Sequence, residues 1–525
     1  MKLKQIFPAC FSTLTEDATC KLLKLAAGAG VEYFPQLLGG LAEKLDVPPY
    51  LADLARLEYA VFLVREQGEE NPVNGVDELI ASPSLQLLRL DWKNLPHLLR
   101  SAAGDAALPP LAGEEYVLVF PGPESGRVLV RPARGNDLLA LKIVTEKISP
   151  AEAATATGVA VGLIDRCLEK AVLQGILLAP PSRIRRDPAL FTHCEGVDER
   201  FFVSPVFTLQ WHVTQTCDLH CRHCYDRSDR IALPLEQGLR ILDDLRDFCI
   251  EHHVKGQVSF SGGNPLLYPY FFELYQGAVE RNMMAAILGN PAPRSTMEKI
   301  LAIEKPFFYQ VSLEGLQDHN DYIRGPGHFE RVLHFLELLK ELGIYSMVML
   351  TLTKDNMDQV LPLAERLRNR TDLFTFNRLA MVGEGAQLQS ADRQEFQSFL
   401  RHYLAAARKN PVISLKDNLL NIVRREENMP VFGGCAGYGC GAAFNFISIL
   451  PDGEAHACRK FPSHIGNVFQ SSISEIYHGE RAARYRLGPA ECASCSIRPV
   501  CGGCLAVVHG LGLDPFQNRD PYCFI

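Results

Sequence analysis

From Phe207 to about Gly385, short β-branched or aromatic runs alternate with amphipathic helical stretches: Phe207 to Val213, Val258 to Ser261, Ala285 to Leu288, Phe307 to Ser312, Tyr345 to Thr351 and Phe374 to Leu379. Alternation of this kind predicts a parallel sheet with crossover helices, an α/β fold. Six strands over about 180 residues suit a partial barrel better than the eight-strand form of about 250. Upstream, residues 1 to about 110 carry helix-period apolar positions, among them Cys20, Leu22, Leu23, Leu25 and Ala26, then Leu51, Leu54, Leu57, Ala60 and Val61.

From Tyr116 the period changes to two. The runs Tyr116–Phe120 and Arg127–Arg131 flank Pro121-Gly-Pro-Glu-Ser-Gly126, which predicts a hairpin. Helical stretches follow at about Asp137–Glu146, at Pro150–Thr157 behind the capping residue Ser149, and at Val159–Leu173, then a short strand at Ile176–Leu178. That order looks like a winged helix. Its third helix offers only Arg166 and Lys170, too little charge for phosphate-dominated DNA binding. The layout is similar to the peptide-recognition elements of natural-product biosynthesis enzymes, whose exposed sheet edge takes a leader peptide as an added strand. The patterns divide the chain into a helical domain (1–112), a winged-helix domain (113–180), a Pro/Arg-rich linker (181–204), the barrel (205–386), a helical bridge (387–433) and a cysteine-rich domain (434–525).

With 47% hydrophobic and 22% charged residues the composition is that of a globular protein, and a formal net charge of -8 argues against nonspecific nucleic-acid binding. The start lacks an apolar h-region with a cleavage site, and no uncharged run approaches the ~18 residues of a membrane helix. The expectation is a cytoplasmic protein with neither membrane nor nucleic-acid partner. Sixteen cysteines then imply metal or redox chemistry rather than disulfides. Three follow the first barrel strand and eight lie after residue 434, while Cys10, Cys20, Cys167, Cys194 and Cys249 are scattered and read as small buried hydrophobes.

The three are Cys217, Cys221 and Cys224, spaced x3 then x2. Three thiolates hold three irons of a cubane and leave the fourth open to chelate a small molecule, whereas structural zinc is closed by four ligands. Zinc completed by His220 or His223 is the competing reading. In parallel barrels the chemistry sits just after the strands. There stand Ser261-Gly-Gly-Asn-Pro265, Ser312-Leu-Glu-Gly315 with Ile323-Arg-Gly325 downstream, and Met381-Val-Gly-Glu-Gly385. Read locally, the glycines allow close backbone approach, and Ser312 and Glu314 can cap a helix start.

Together these stretches resemble the radical S-adenosylmethionine enzymes, whose signature is CX3CX2C with a ring-bearing residue, here His223, before the last cysteine. The resemblance implies a [4Fe-4S] cluster on Cys217, Cys221 and Cys224, with S-adenosylmethionine held by Gly262, Gly263, Asn264, Ser312, Glu314, Arg324 and Gly383. Asn264 stands where the family usually carries a glutamate that binds the cofactor's amino group. The tail, with Cys435, Cys440, Gly453 and Cys458, then Cys492, Cys495, Cys501, Cys504 and Cys523, resembles the SPASM extension of radical enzymes acting on peptides. One spacing departs, x2 rather than x3 before Cys504. The family's crossed pattern implies one auxiliary cluster on Cys435, Cys440, Cys458 and Cys504 and another on Cys492, Cys495, Cys501 and Cys523, three clusters in all.

The implied function is a peptide maturase. Reductive cleavage of S-adenosylmethionine would give a 5'-deoxyadenosyl radical that takes hydrogen from a ribosomally made precursor. Implied partners are that precursor with its leader and a low-potential electron donor such as ferredoxin or flavodoxin. The Cys-Tyr-Asp-Arg-Ser sequence after Cys224 looks like maturases assigned to thio- or selenooxazole-type peptides. Two alternatives stand beside this: modification of a protein cysteine or serine, as in sulfatase maturation, and a zinc-bearing peptide- or DNA-binding regulator.

Overall fold

The structure, a computed structural model, describes residues 2–28, 30–45, 47–67, 75–100, 108–122, 127–191 and 197–525. Cys194 and residues 123–126 of the expected hairpin turn lie outside the described residues. The chain forms two compact units, Met1–Pro181 and Ser182–Ile525.

The first unit holds β1 (Ile80–Ala81), β2 (Gln86–Lys93), β3 (Leu111–Pro121), β4 (Val128–Pro132) and β5 (Leu177–Leu178). Strands β2, β3 and β4 make an antiparallel sheet in that order, and β1 pairs with β5. Alternation explains how β3 serves two cores. Val117 and Val119 pack with Leu57, Ala60 and Val64 of helix Leu51–Gln67, while Leu118 and Phe120 pack with the helices Gly135–Thr145, Pro150–Thr157 and Val161–Leu173. Ser149 caps Pro150–Thr157 as expected, accepting from Glu152 N. The expected boundary at 112 is displaced, because β2 lies inside the stretch read as helical. Leu88, Leu90 and Trp92 face one core between the outward Arg89 and Asp91, a period-two run masked by neighbouring leucines. The Tyr116–Arg131 hairpin is therefore not a free ribbon. β3 is central, and the open edges belong to β2 and β4.

The second unit is built on one nine-stranded sheet. Its strands are β6 (Val206–Thr214), β7 (Lys255–Gly262), β8 (Met284–Leu288), β9 (Tyr309–Ser312), β10 (Ser346–Leu352), β11 (Leu373–Arg378), β12 (Phe446–Ile449), β13 (Glu454–His456) and β14 (His464–Asn467). The order is β11-β10-β9-β8-β7-β6-β12-β13-β14. The six expected strands run parallel, and β12 adds a seventh beside β6, with Phe446 opposite Thr208 and Ile449 opposite Trp211. The cysteine-rich segment thus continues the barrel's sheet. Side chains from β6 and β11, at opposite ends of the six, line one cavity, so the sheet curls into a partial barrel. Helices Arg393–Ala407 and Leu420–Glu426 lie between β11 and β12 in the chain. Among the described residues no helix is long and apolar enough to cross a membrane.

Phe207 joins these parts. It is fully buried on β6, with its ring 4.4 Å from Phe248 of helix Leu235–Glu251 and 5.7 Å from Tyr477 of helix Ile473–His478. Phe207→Ala should cost about 3–5 kcal/mol. In urea, barrel and C-terminal segment should still unfold in one transition with a lowered midpoint. Two separate transitions in the parent protein would refute the shared core.

Candidate functional site

The loop carrying Cys217, Cys221 and Cys224 leaves the C-terminal end of β6 and is fastened on several sides. Gly263 N donates to Thr214 O and Asn264 N to Thr216 O, binding it to the end of β7. Arg222 N and Nε donate to the carbonyls of Ile323 and Tyr322, and Glu384 N donates to Cys224 O. The three thiols line a cavity of about 480 Å³ that also takes in Gly262, Gly263, Ser312 and Arg324. Two side-chain donors reach sulfur: Asn290 Nδ2 lies 3.7 Å from Cys217 Sγ and Arg324 Nη1 3.7 Å from Cys221 Sγ.

Three of the residues expected to touch the cofactor are turned elsewhere. Asn264 is buried outside the cavity lining; its Nδ2 donates to Asp218 Oδ1 at 3.0 Å and its Oδ1 accepts from Leu266 N at 3.3 Å. Asn290 Nδ2 donates to the same Asp218 oxygen at 2.5 Å. Glu314 is only 1% exposed, and both its oxygens are taken: Arg324 donates at 2.6 and 2.9 Å, His223 Nε2 lies at 3.1 Å, and Thr351 N donates at 2.7 Å. Burial alone would raise the Glu314 carboxyl, but the His223 and Arg324 charges outweigh it and hold it well below the usual carboxylate range. Glu314 therefore positions Arg324 rather than facing the cavity. Gly383 does not line the cavity either. At φ +60° it lies against the cysteine loop, where a Cβ would stand 2.5 Å from Tyr225 O and 2.7 Å from Cys224 O.

The eight C-terminal cysteines fall into two spatial groups. Cys435, Cys440, Cys458 and Cys504 line a small cavity of about 60 Å³ with Lys416 and Lys460. Cys492 lies within electrostatic reach of Cys495 and Cys523, and Cys501 within reach of Cys495 and Cys492. Cys504 sits with the first group despite its shortened spacing. Among the described residues, in no group of cysteines do three sulfurs all lie within 4.8 Å of one another, whereas Zn–S bonds of about 2.3 Å require S···S separations of about 3.8 Å. His220 Nδ1 is engaged by Arg227 and His223 Nε2 by Glu314. The open spacing fits a multi-iron cubane. Burial pushes the Cys440 thiol up to about 12 and Cys504 to about 11, so a bound metal is what would draw off their protons at neutral pH.

Several polar cavity residues were missed from sequence. His212 on β6, Gln310 on β9 and Asn377 on β11 line the cavity. Each is a polar position within a barrel strand, and polar residues in strands of a parallel sheet were the available signal. His212 is held neutral by burial, its pKa pushed down to about 3, with Nε2 3.1 Å from Tyr225 Oη. Arg459 and Lys460, immediately after Cys458, also enter the cavity.

Residues 211–367 match the radical SAM superfamily, and residues 440–504 match SPASM, an iron-sulfur cluster-binding domain. The chain is 28% identical over 344 residues to mycofactocin maturase MftC of Mycolicibacterium smegmatis, spanning 62% of this chain and 84% of that protein. It is 24% identical over 341 residues to an AdoMet-dependent heme synthase of Methanosarcina barkeri, spanning 60% of this chain and 95% of the relative. Among solved structures it resembles Streptococcus suis SuiB bound to precursor peptide SuiA, with a TM-score of 0.52, 19% identity, and coverage of 78% of this chain and 97% of that one.

The network behind Glu314 has a pH signature. Glu314 N donates to Asn320 Oδ1 at 3.1 Å, which turns Asn320 Nδ2 toward His328 Nδ1 at 3.2 Å and makes that nitrogen an acceptor. His328 is buried, and burial, reinforced by Arg324, pushes its pKa down to about 3. An unfolded histidine takes its proton near pH 6.5, so between about 6.5 and 3 the unfolded chain binds more protons and stability is lost as the pH is lowered, by about 1.4 kcal/mol per unit for one such group. His328→Gln keeps an acceptor without a titrating group. Its urea midpoint should fall less steeply than the parent's between pH 6.5 and 4.5; parallel slopes would refute the assignment.

Proposed function

From a chain that carries a radical SAM domain followed by a SPASM iron-sulfur domain, we propose a peptide maturase that binds S-adenosylmethionine and an iron-sulfur cluster at Cys217, Cys221 and Cys224 and acts on a ribosomally made precursor. The reading is supported above all by those three thiols opening together on a cavity at the strand ends. When bound and reduced, the cluster supplies the cleavage of S-adenosylmethionine that yields a 5'-deoxyadenosyl radical able to take hydrogen from the peptide. The chain's own residues orient and enclose. Arg324, held by Glu314, sets a fixed positive group beside Cys221. Ser312, Gly262 and Gly263 offer a hydroxyl and bare backbone to the cofactor, and the apolar wall at Leu288, Met349 and Leu379 limits water.

Two further clusters, on Cys435, Cys440, Cys458 and Cys504 and on Cys492, Cys495, Cys501 and Cys523, belong to this proposal, as do a ferredoxin- or flavodoxin-like donor and a cytoplasmic setting. The sulfur spacing weighs against the zinc regulator. Leader recognition is assigned to an open edge of the β2-β3-β4 sheet. The maturase name of the mycobacterial relative and the precursor peptide bound to SuiB support a peptide substrate. The SuiB likeness covers more of this chain than the 182–525 unit alone supplies.

Anaerobically reconstituted protein should carry about twelve irons and twelve sulfides per chain. Replacing Cys217, Cys221 and Cys224 together by Ala should lower both to about eight and abolish 5'-deoxyadenosine formation under dithionite. Undiminished cleavage by that variant would overturn the proposal.

A proline scan reads leader binding separately. Along β2, amides facing β3 alternate with amides facing the open edge. Proline at edge-facing positions should weaken precursor binding while leaving cleavage without peptide intact, and proline at the alternate positions should destabilise the unit itself. Full precursor affinity throughout the edge-facing series would exclude β2.

A further inference from the structure

Cations outnumber their partners on the wall of the large cavity. Five side chains of permanent positive charge line it: Arg227, Arg324, Arg378, Arg459 and Lys460. Two are neutralised. Arg324 is held by Glu314, and Arg378 lies between Asp417 and Asp520. Arg227 is exposed and screened by solvent. Asp226, the carboxylate on the wall, is already committed to Ser228 and Gln215.

Arg459 and Lys460 remain, both half-buried and neither in an ion pair with any described residue. Lys460 also lines the small cavity of Cys435, Cys440, Cys458 and Cys504, so the charge of a cluster there accounts for part of its placement. Arg459 lines the large cavity alone. Its side-chain hydrogen bond is a 2.9 Å donation from Nη1 to Ser261 Oγ, itself buried at the end of β7. A neutral hydroxyl orients a guanidinium without cancelling its charge. A partly desolvated guanidinium with most of its planar fork unused matches the two oxygens of a carboxylate.

We propose that Arg459, assisted by Lys460, forms a carboxylate-binding subsite for the peptide, taking an acidic side chain or the C-terminal carboxylate of the segment that enters the cavity. This rests on the peptide-maturase reading and adds the chemistry of the substrate. The carboxylate of S-adenosylmethionine has the same chemistry, so the test separates the two sources.

The test uses full-length, cluster-reconstituted protein saturated with S-adenosylmethionine, titrated with acetyl-Gly-Glu-Gly-amide and acetyl-Gly-Gln-Gly-amide. The glutamate peptide should bind about tenfold more tightly, as one charge-assisted contact warrants. Arg459→Gln should bring the two near parity at unchanged affinity for S-adenosylmethionine, and Arg459→Lys should restore part of the preference. Ser261→Ala, which keeps the charge and removes its orienting acceptor, should reduce the preference about threefold, and it serves where Arg459→Gln fails to load iron. No preference in the parent, binding of neither peptide, or a preference that survives Arg459→Gln would overturn the proposal. Lost cofactor affinity in Arg459→Gln with the peptide preference intact would overturn it in favour of the cofactor's carboxylate. Parent protein that forms no 5'-deoxyadenosine under reductant would instead overturn the enzyme reading, whatever the peptide titrations give.

Discussion

Arg378 ends the last barrel strand with its guanidinium buried between two carboxylates, donating through Nε to Asp417 and through both terminal nitrogens to Asp520. Burial alone would make that charge costly; the two acids hold it ionised and raise its pKa well above the usual range. Each acid then organises a cysteine segment. Asp520 Oδ2 accepts from Cys504 N and Asp520 O from Cys523 N, so one side chain and its backbone set a cysteine of each tetrad. Asp417 begins the turn in which Asn418 Oδ1 accepts from Cys435 N and Asn418 Nδ2 donates to Gly503 O. Removing either acid would leave the guanidinium half-compensated, a loss of about 3–5 kcal/mol by the usual behaviour of broken buried pairs.

A second buried pair does the corresponding work at the other end of the cavity. Glu314 uses its carboxylate on Arg324, its amide on Asn320 and its carbonyl on Asn356, so one residue fixes the start of helix Gln317–Arg324 and the side chain that helix sends back to Cys221. Helix and cysteine loop are mutually dependent, since Arg222 returns two hydrogen bonds to the same helix's last turn. Rigidity here comes from saturation. Glycine conformations at 262 and 383 serve it by letting backbone segments approach where a Cβ would stand 2.1 to 2.7 Å from a neighbouring oxygen.

What could be read from the sequence was whatever lies within a few residues of itself. The spacing of Cys217, Cys221 and Cys224, the strand alternation and the cysteine-rich tail are local, and the positions of the six barrel strands followed. Side-chain direction was not local. Asn264, Glu314 and Gly383 stand in the expected motifs, yet their partners are Asp218, Arg324 and the Cys224–Tyr225 backbone, contacts set by folding rather than by spacing. Strand β2 was hidden because Leu87, Leu88 and Leu90 satisfy a helical pattern as well as an alternating one, and only pairing with β3 decides between them. His212, Gln310 and Asn377 were legible in principle, as polar positions within barrel strands.

The pairing of β12 with β6 gives the charge distribution its meaning. A cysteine-rich segment attached by a flexible linker would bring Arg459 and Lys460 near the barrel only transiently. Here β12 continues the barrel sheet in register, β13 pairs back on it, and Cys458 with its two cations follows directly after β13. Arg230, from the loop after the cysteine triplet, closes the junction by pairing with Asp452 on the β12-β13 turn and Glu454 at the start of β13. Acids of the C-terminal segment are thus spent on holding it to the barrel, while its cations are left facing the cavity. A chain of net charge -8 has in this way assembled a locally positive chamber, and the imbalance is a property of the sheet's continuity rather than of composition.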